Sequence, residues 1–387
     1  MGIPQIYPGH TPGLEVDSLE CSAVRGACFS ARCIHPNNSK ATAARCSISH
    51  PPPTPAHSTL DVRYILYSMR IVFRVFGVLV LVAAVAVVAA AYSATTHPLP
   101  AYAFDHVGGG LAVVNATLYV VGGSDSDHVE ALQYGGVSEL RDSNLAWRPV
   151  SSLRFARSNL SVVQTSSGLV IAIGGSFAGE ALSVVEIYRP DVDQWRTASP
   201  LPQARYAASA VVLPNDRVLV TGGFDSAGQP SASVFEYDAS TDLWTENTPL
   251  PEAKADHNAV VVEGLVFVLC GSNNDAGFAA SVESSGRLAW RAGPAFPYPH
   301  YASAVATVET EIYLFGGISF GFEGTSILMA DLQQERPLWS SLLPPLPGPA
   351  SHTSAVSDGT VIFHVGGLAE SNLNFYMATT GAIPRFD

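Results

Sequence analysis

The chain has 387 residues, enough to bury a full core in one large domain or two ordinary ones. Its charge is split: residues 1–91 carry 7 Lys/Arg against 4 Asp/Glu, whereas residues 92–387 carry 13 against 29. So acidic a body excludes nucleic acid as its main partner, because phosphate binding needs a basic footprint, and 33 Gly with 27 Pro favour many short strands over long helices.

Residues 1–68 show no sustained period of 2 or 3.6 and include the run HPPPTPAH at 50–57. This composition predicts a disordered or polyproline-like leader. Cys21, Cys28, Cys33 and Cys46 fall there, at spacings unlike the close pairs of zinc sites, so no metal is expected. Cys270 is the lone cysteine of the body, which therefore holds no internal disulfide.

Residues 69–91 are almost wholly apolar, with 17 uninterrupted residues from Val75 to Ala91, the lower edge for a membrane span. Arg63, Arg70 and Arg74 precede them and no charge follows until Asp105, which predicts a cytoplasmic N-terminus and a body on the far side. The same stretch is built like a secretory signal starting at Met69, with small residues at Ala89 and Ala91 for cleavage. If it is cleaved, the leader drops out of the mature protein; if it is retained, residues 70–91 make the membrane contact. Either way the body is expected to be secreted, or anchored on the extracellular or lumenal side.

From residue 92 onward the chain repeats itself. Gly122-Gly123, Gly174-Gly175, Gly222-Gly223, Cys270-Gly271, Gly316-Gly317 and Gly366-Gly367 are spaced by 52, 48, 48, 46 and 50 residues. Trp147, Trp195, Trp244, Trp290 and Trp339 follow the first five pairs at steps of 48, 49, 46 and 49. Two independent markers holding one period indicate a repeat architecture, and about four short strands per unit indicate propeller blades. The strand before each pair is apolar on both faces, as in LVIAIGG and EIYLFGG, which suits a strand sandwiched between neighbouring blades.

The double glycines, the strand end EYD at 236–238, the later tryptophans and the LP-x-x-R lead-in resemble the kelch family of β-propellers. The resemblance implies an all-β, six-bladed propeller over residues 92–387, with four antiparallel strands per blade. Tyr92-Ser-Ala-Thr-Thr-His-Pro-Leu-Pro reads like the segment from Trp244 to Pro251, so residues 92–97 are expected to supply the outermost strand of the last blade and close the ring. Kelch adaptors of ubiquitin ligases need a helical oligomerisation domain, which the Pro-rich leader does not provide, so a monomeric propeller is expected.

Propellers bind through loops at the mouth of the channel. Arg157, Arg205, Lys254 and His300 recur at one place in successive units, with His106 and His257 close by and His352 near them. In kelch proteins arginines at such loops contact acidic ligands, so these residues are expected to form a cationic ring. Loops after the glycine pairs add Asp125, Asp127, Phe224, Asn273, Asn274, Asp275, Phe320 and Phe322, a composition suited to a protein or glycan surface. A copper oxidase like galactose oxidase is not expected, because no His pair has ligand spacing, and no cofactor is called for. The expected function is non-catalytic binding of a protein or glycan. The alternative is a sugar epimerase or mutarotase resembling exported N-acetylneuraminate epimerases, with Asp256/His257 or Asp105/His106 as acid and base. Asn115-Ala-Thr117 is a glycosylation sequon in a predicted turn, and Asn159-Leu-Ser161 is a second one, starting an inner strand.

Overall fold

The computed structural model describes residues 96–136, 138–141, 144–272, 276–294, 296, 300–333, 337–342, 345–367 and 375–378. The expected leader, the apolar segment 69–91 and Tyr92 lie outside the described residues, as do Asn273, Asn274 and Asp275. The described chain is an all-β propeller without an α-helix. Its strands form six four-stranded antiparallel sheets and two small two-stranded hairpins.

The third sheet shows how the sequence builds each unit. Ser209–Val212, Val218–Thr221, Val234–Asp238 and Leu243–Glu246 lie side by side in chain order. The second strand is buried on both faces because alternate residues serve different neighbours. Val218 and Val220 pack with Ile171 and Ile173 of the second sheet, while Leu219 packs with Val266 and Val268 of the fourth. Burying each such side chain stabilises the fold by roughly 1.5–3 kcal/mol, so the core lies between sheets.

The tryptophans lock neighbouring sheets by hydrogen bonds as well as area. Trp195 and Trp244 sit directly across from Tyr188 and Tyr237, with ring centroids 5.0 and 4.7 Å apart. Each indole N–H then donates to the connector leaving the previous sheet: Trp195 to Ser151 O and Trp244 to Ser199 O, both at 2.8 Å. Trp147 does the same to Pro100 O at 2.8 Å. Pro100 lies two residues after Thr96–Pro98, the outermost strand of the sheet that also holds Thr353–Ser357, Val361–Gly366 and Phe375–Ala378. The strand thus starts at Thr96 among the described residues and uses the end of the expected segment 92–97.

The inner strands neighbour one another in order from Gly110–Val114 to Thr353–Ser357, and those two also meet. The glycine pairs sit where one sheet touches the next. Gly222 has φ +57°, and a Cβ there would lie 2.3 Å from the Lys254 carbonyl oxygen, so a side chain is excluded by both strain and contact. Cys270 holds the same left-handed conformation at φ 60° without being glycine.

Candidate functional site

The loops after the glycine pairs and the connectors entering each inner strand gather at one end of the channel. Gly108, Asn159, Ala207, Asp256, Ala302 and His352 precede the six inner strands, and all have φ between 50° and 67°. Their backbones form a closed collar. Asn159 N–H donates to Gly108 O at 2.7 Å, Ala207 to Asn159 at 2.9, Asp256 to Ala207 at 3.0, Ala302 to Asp256 at 3.1, His352 to Ala302 at 2.9, and Gly108 to His352 at 3.1 Å. The left-handed turn aims each N–H and C=O around the ring, so the collar's backbone satisfies itself.

Two residues before five of the six collar positions stands a basic residue, with Ala350 in that place before His352, and the backbone carbonyl there ties two sheets together. Gly123, Gly175, Gly223 and Gly271 donate their N–H groups to the carbonyls of Arg157, Arg205, Lys254 and His300 at 2.8–2.9 Å. The side chains of His106, Arg157, Arg205 and Lys254 turn inward over the third strand of their own sheet. Arg157 is fully buried and its Nη1 donates to Glu186 Oε2 at 2.6 Å. His106 contacts Glu130 Oε2 at 3.1 Å and Gly122 O at 2.6 Å. Arg205 lies over the Phe235 ring, its guanidinium carbon 5.5 Å from the centroid. Lys254 Nζ donates to Cys270 O at 3.0 Å and lies 5.4 Å from the Phe278 centroid. His300 stacks on Phe296 and meets Ser319 Oγ at 2.8 Å, and His257 meets Thr221 Oγ1 at 2.8 Å.

The expected cationic ring is therefore corrected. Arg157, Arg205, Lys254, His300, His106 and His257 are all buried, because the first five pack at the ends of their own sheets and His257 packs against Thr221 at the end of the preceding one. Burial pulls Arg157 and Arg205 below the usual arginine range, opposed by the Glu186 and Asp225 charges respectively. Burial, and then the Lys254 charge, push His257 down to about 3.

A kelch motif model matches residues 157–202 and 205–251, the two units spanning these connectors. Human Kelch-like protein 33 is 35% identical over 30% of this chain and 21% of its own length. Human influenza virus NS1A-binding protein is 32% identical over 22% of this chain and 13% of its own. Alpha-scruin of Limulus polyphemus is 28% identical over 27% and 12%. Over those two units the chain carries kelch motifs. It spans less than a quarter of the length of these curated relatives. The solved structure of YjhT superposes with a TM-score of 0.60 over 73% of this chain and 95% of that one, at 14% identity, a likeness of fold.

The collar leaves six positions facing the channel, and their order alternates. Asn159, Asp256 and His352 are polar, and Gly108, Ala207 and Ala302 between them are small. All six line a cavity of about 180 Å³. Burial pushes the Asp256 carboxyl above its ordinary range, and the His352 charge opposes this. The expected pair Asp256/His257 is thus not a pair: His257 points into the sheet interior, and His352 shares the cavity with Asp256. Nor is Asp105/His106, since His106 faces Glu130. His352, ninety-six residues from Asp256 in the chain, stands two places beyond Ala350, where the other units carry a basic residue, so the sequence held no marker for it.

Around the collar the loops carry exposed Phe155, Phe177, Phe320 and Phe322. Asp125 instead bridges two loops, accepting from Ser158 Oγ at 2.6 Å and Ala178 N at 3.0 Å. Asp225 closes its own turn onto Ala227 and Gln229 at 2.9 Å. Asn115 stands exposed in the turn between Val114 and Thr117, at the channel end away from the collar. Asn159 lies in the collar itself, and Ser161 is buried and donates to Ala208 O at 2.7 Å, which withdraws the second sequon. Among the described residues no cluster of three metal-ligating side chains occurs.

Proposed function

We propose that this chain is a non-catalytic kelch propeller that binds a protein through the collar end of its channel. The reading takes the six sheets as six blades of one ring, closed by Thr96–Pro98. The observation that carries it is the self-satisfied collar. Backbone groups are spent on the scaffold, and a cavity with exposed phenylalanines around it is left to make contacts. Cross-linking the full chain in its native extract, with a photoreactive residue at Phe320 or Phe322, tests it. Crosslinks to one protein at these positions, and none from a far-end position such as Asn115, are expected. Equal labelling from both ends overturns the reading. A glycan ligand is the same proposal with a different surface partner, and a glycan array separates the two.

The body is proposed to reach the outside of the cytosol through residues 69–91, with Asn115 glycosylated in a eukaryotic host. A glycan there would leave the collar clear, and an N-terminal sequence of the mature protein tests the export route. The second reading, sugar epimerisation or mutarotation, rests on Asp256 and His352 sharing one cavity. NMR exchange at the anomeric centre or the epimerised carbon of acidic sugars tests it, and lack of turnover sinks it.

A further inference from the structure

We propose that the collar takes a cationic group, the ammonium or guanidinium of a Lys or Arg side chain on the protein partner, with Asp256 as its counter-ion. This rests on the protein-binding reading and reverses the charge expected of the ligand. Three observations carry it. First, the cavity lining contains one carboxylate, Asp256, and no Lys or Arg, because the repeated basic side chains turn into the sheets. A charge held in a partly desolvated cleft is costly unless paired. Asp256 accepts no side-chain or backbone hydrogen bond from a described residue; its own N–H and C=O serve the collar. An entering cation supplies what the site lacks.

Second, the size fits one side chain. About 180 Å³ falls below the roughly 300 Å³ at which small-molecule pockets begin. It admits a butylammonium or propylguanidinium stem more readily than a whole sugar acid.

Third, the surrounding loops match such a guest. Phe155, Phe177, Phe320 and Phe322 offer exposed ring faces, which attract cations and cover their aliphatic stems. Asp105, Glu180 and Glu252 are exposed on the same loops, and Asp127 is half-buried there. The exposed arginine there, Arg154, leans outward and donates to Trp195 O at 3.3 Å. Of the two histidines not buried at this end, His128 stacks on Phe104 at 3.7 Å, and His352 is the neighbour with which a guest cation shares Asp256.

The test uses the full chain, ¹⁵N-labelled, titrated with the blocked single residues N-acetyl-lysine methylamide, N-acetyl-arginine methylamide and N-acetyl-glutamate methylamide. The cationic probes should shift the Ala207, Ala302 and His352 amides saturably, and the glutamate probe should not. Asp256→Asn keeps a residue that tolerates the left-handed turn and should weaken the cationic probes by about ten-fold or more. Ala207→Lys tethers an ammonium in the cavity and should abolish their binding. Glutamate binding at the collar, unchanged affinity in Asp256→Asn, or no collar shift with either cation overturns the proposal. If the crosslinked partner seats an acidic segment at the collar, the charge assignment alone fails. If the partner maps to the far end, the protein-binding reading fails with it.

Discussion

The first two sheets and the next two solve one problem with different chemistry. In all four a buried basic side chain lies over the same position of the third strand: Glu130, Glu186, Phe235 and Phe278 in turn. Glu130 and Glu186 also accept a backbone N–H three residues before the basic residue, from Ala103 at 3.1 Å and Arg154 at 2.8 Å. In the third and fourth sheets that place is Pro202 and Pro251, which have no N–H to give. A carboxylate there would lose its second donor and keep its desolvation cost, so a ring takes its place and holds the cation by its quadrupole. The Leu-Pro lead-in and the aromatic third strand are therefore one choice seen at two points of the chain.

Removing the carboxylate should cost most. Glu186→Ala leaves Arg157 charged and buried, and urea unfolding should show a loss of about 3–5 kcal/mol; a loss below about 1 would mean that the carboxylate is not what holds this sheet end. Transplanting the other solution, Arg154→Pro with Glu186→Phe, should recover about 2 kcal/mol of that loss. No recovery would show that the ring and the proline do not work as a pair.

Acid should act on the fourth sheet. His257 is held neutral by burial and by Lys254, with its pKa down at about 3. The unfolded chain binds its proton near pH 6.5, so stability is full above that value and falls as pH drops toward 3. The unfolding free energy should decline by about 1–2 kcal/mol by pH 5, and His257→Gln should flatten the slope. An unchanged slope would assign the acid response elsewhere.

Phe235→Leu keeps bulk but removes the ring face under Arg205, and should cost about 1–2 kcal/mol. Cys270→Gly should change least, within about 1 kcal/mol of zero. It relieves a left-handed cysteine but empties a buried site that is 1% exposed, and a larger loss would mean that the fourth sheet depends on packing at its strand end.

The propeller was legible because its markers have local causes. Glycines recur where a Cβ would strike a carbonyl, and tryptophans recur where an indole N–H reaches the previous connector. The side chains facing the ligand were not legible by the same means. Arg157, Arg205 and Lys254 look like binding residues by type and by loop placement. Whether a long side chain turns outward or lies back over a third strand depends on what waits there, some 24 to 30 residues further on. Asp256 and His352 carry no motif, and only the hydrogen-bonded ring sets them around one cavity.

That ring separates heredity of shape from heredity of taste. Each collar residue contributes its backbone to the closure and its side chain to the guest, and the same turn already accommodates Gly, Asn, Ala, Asp and His. Six positions can therefore drift in chemistry with little cost to the fold, so relatives sharing every glycine pair and tryptophan need not share a ligand. Comparing them at residues 108, 159, 207, 256, 302 and 352 should sort them by guest where whole-chain similarity cannot.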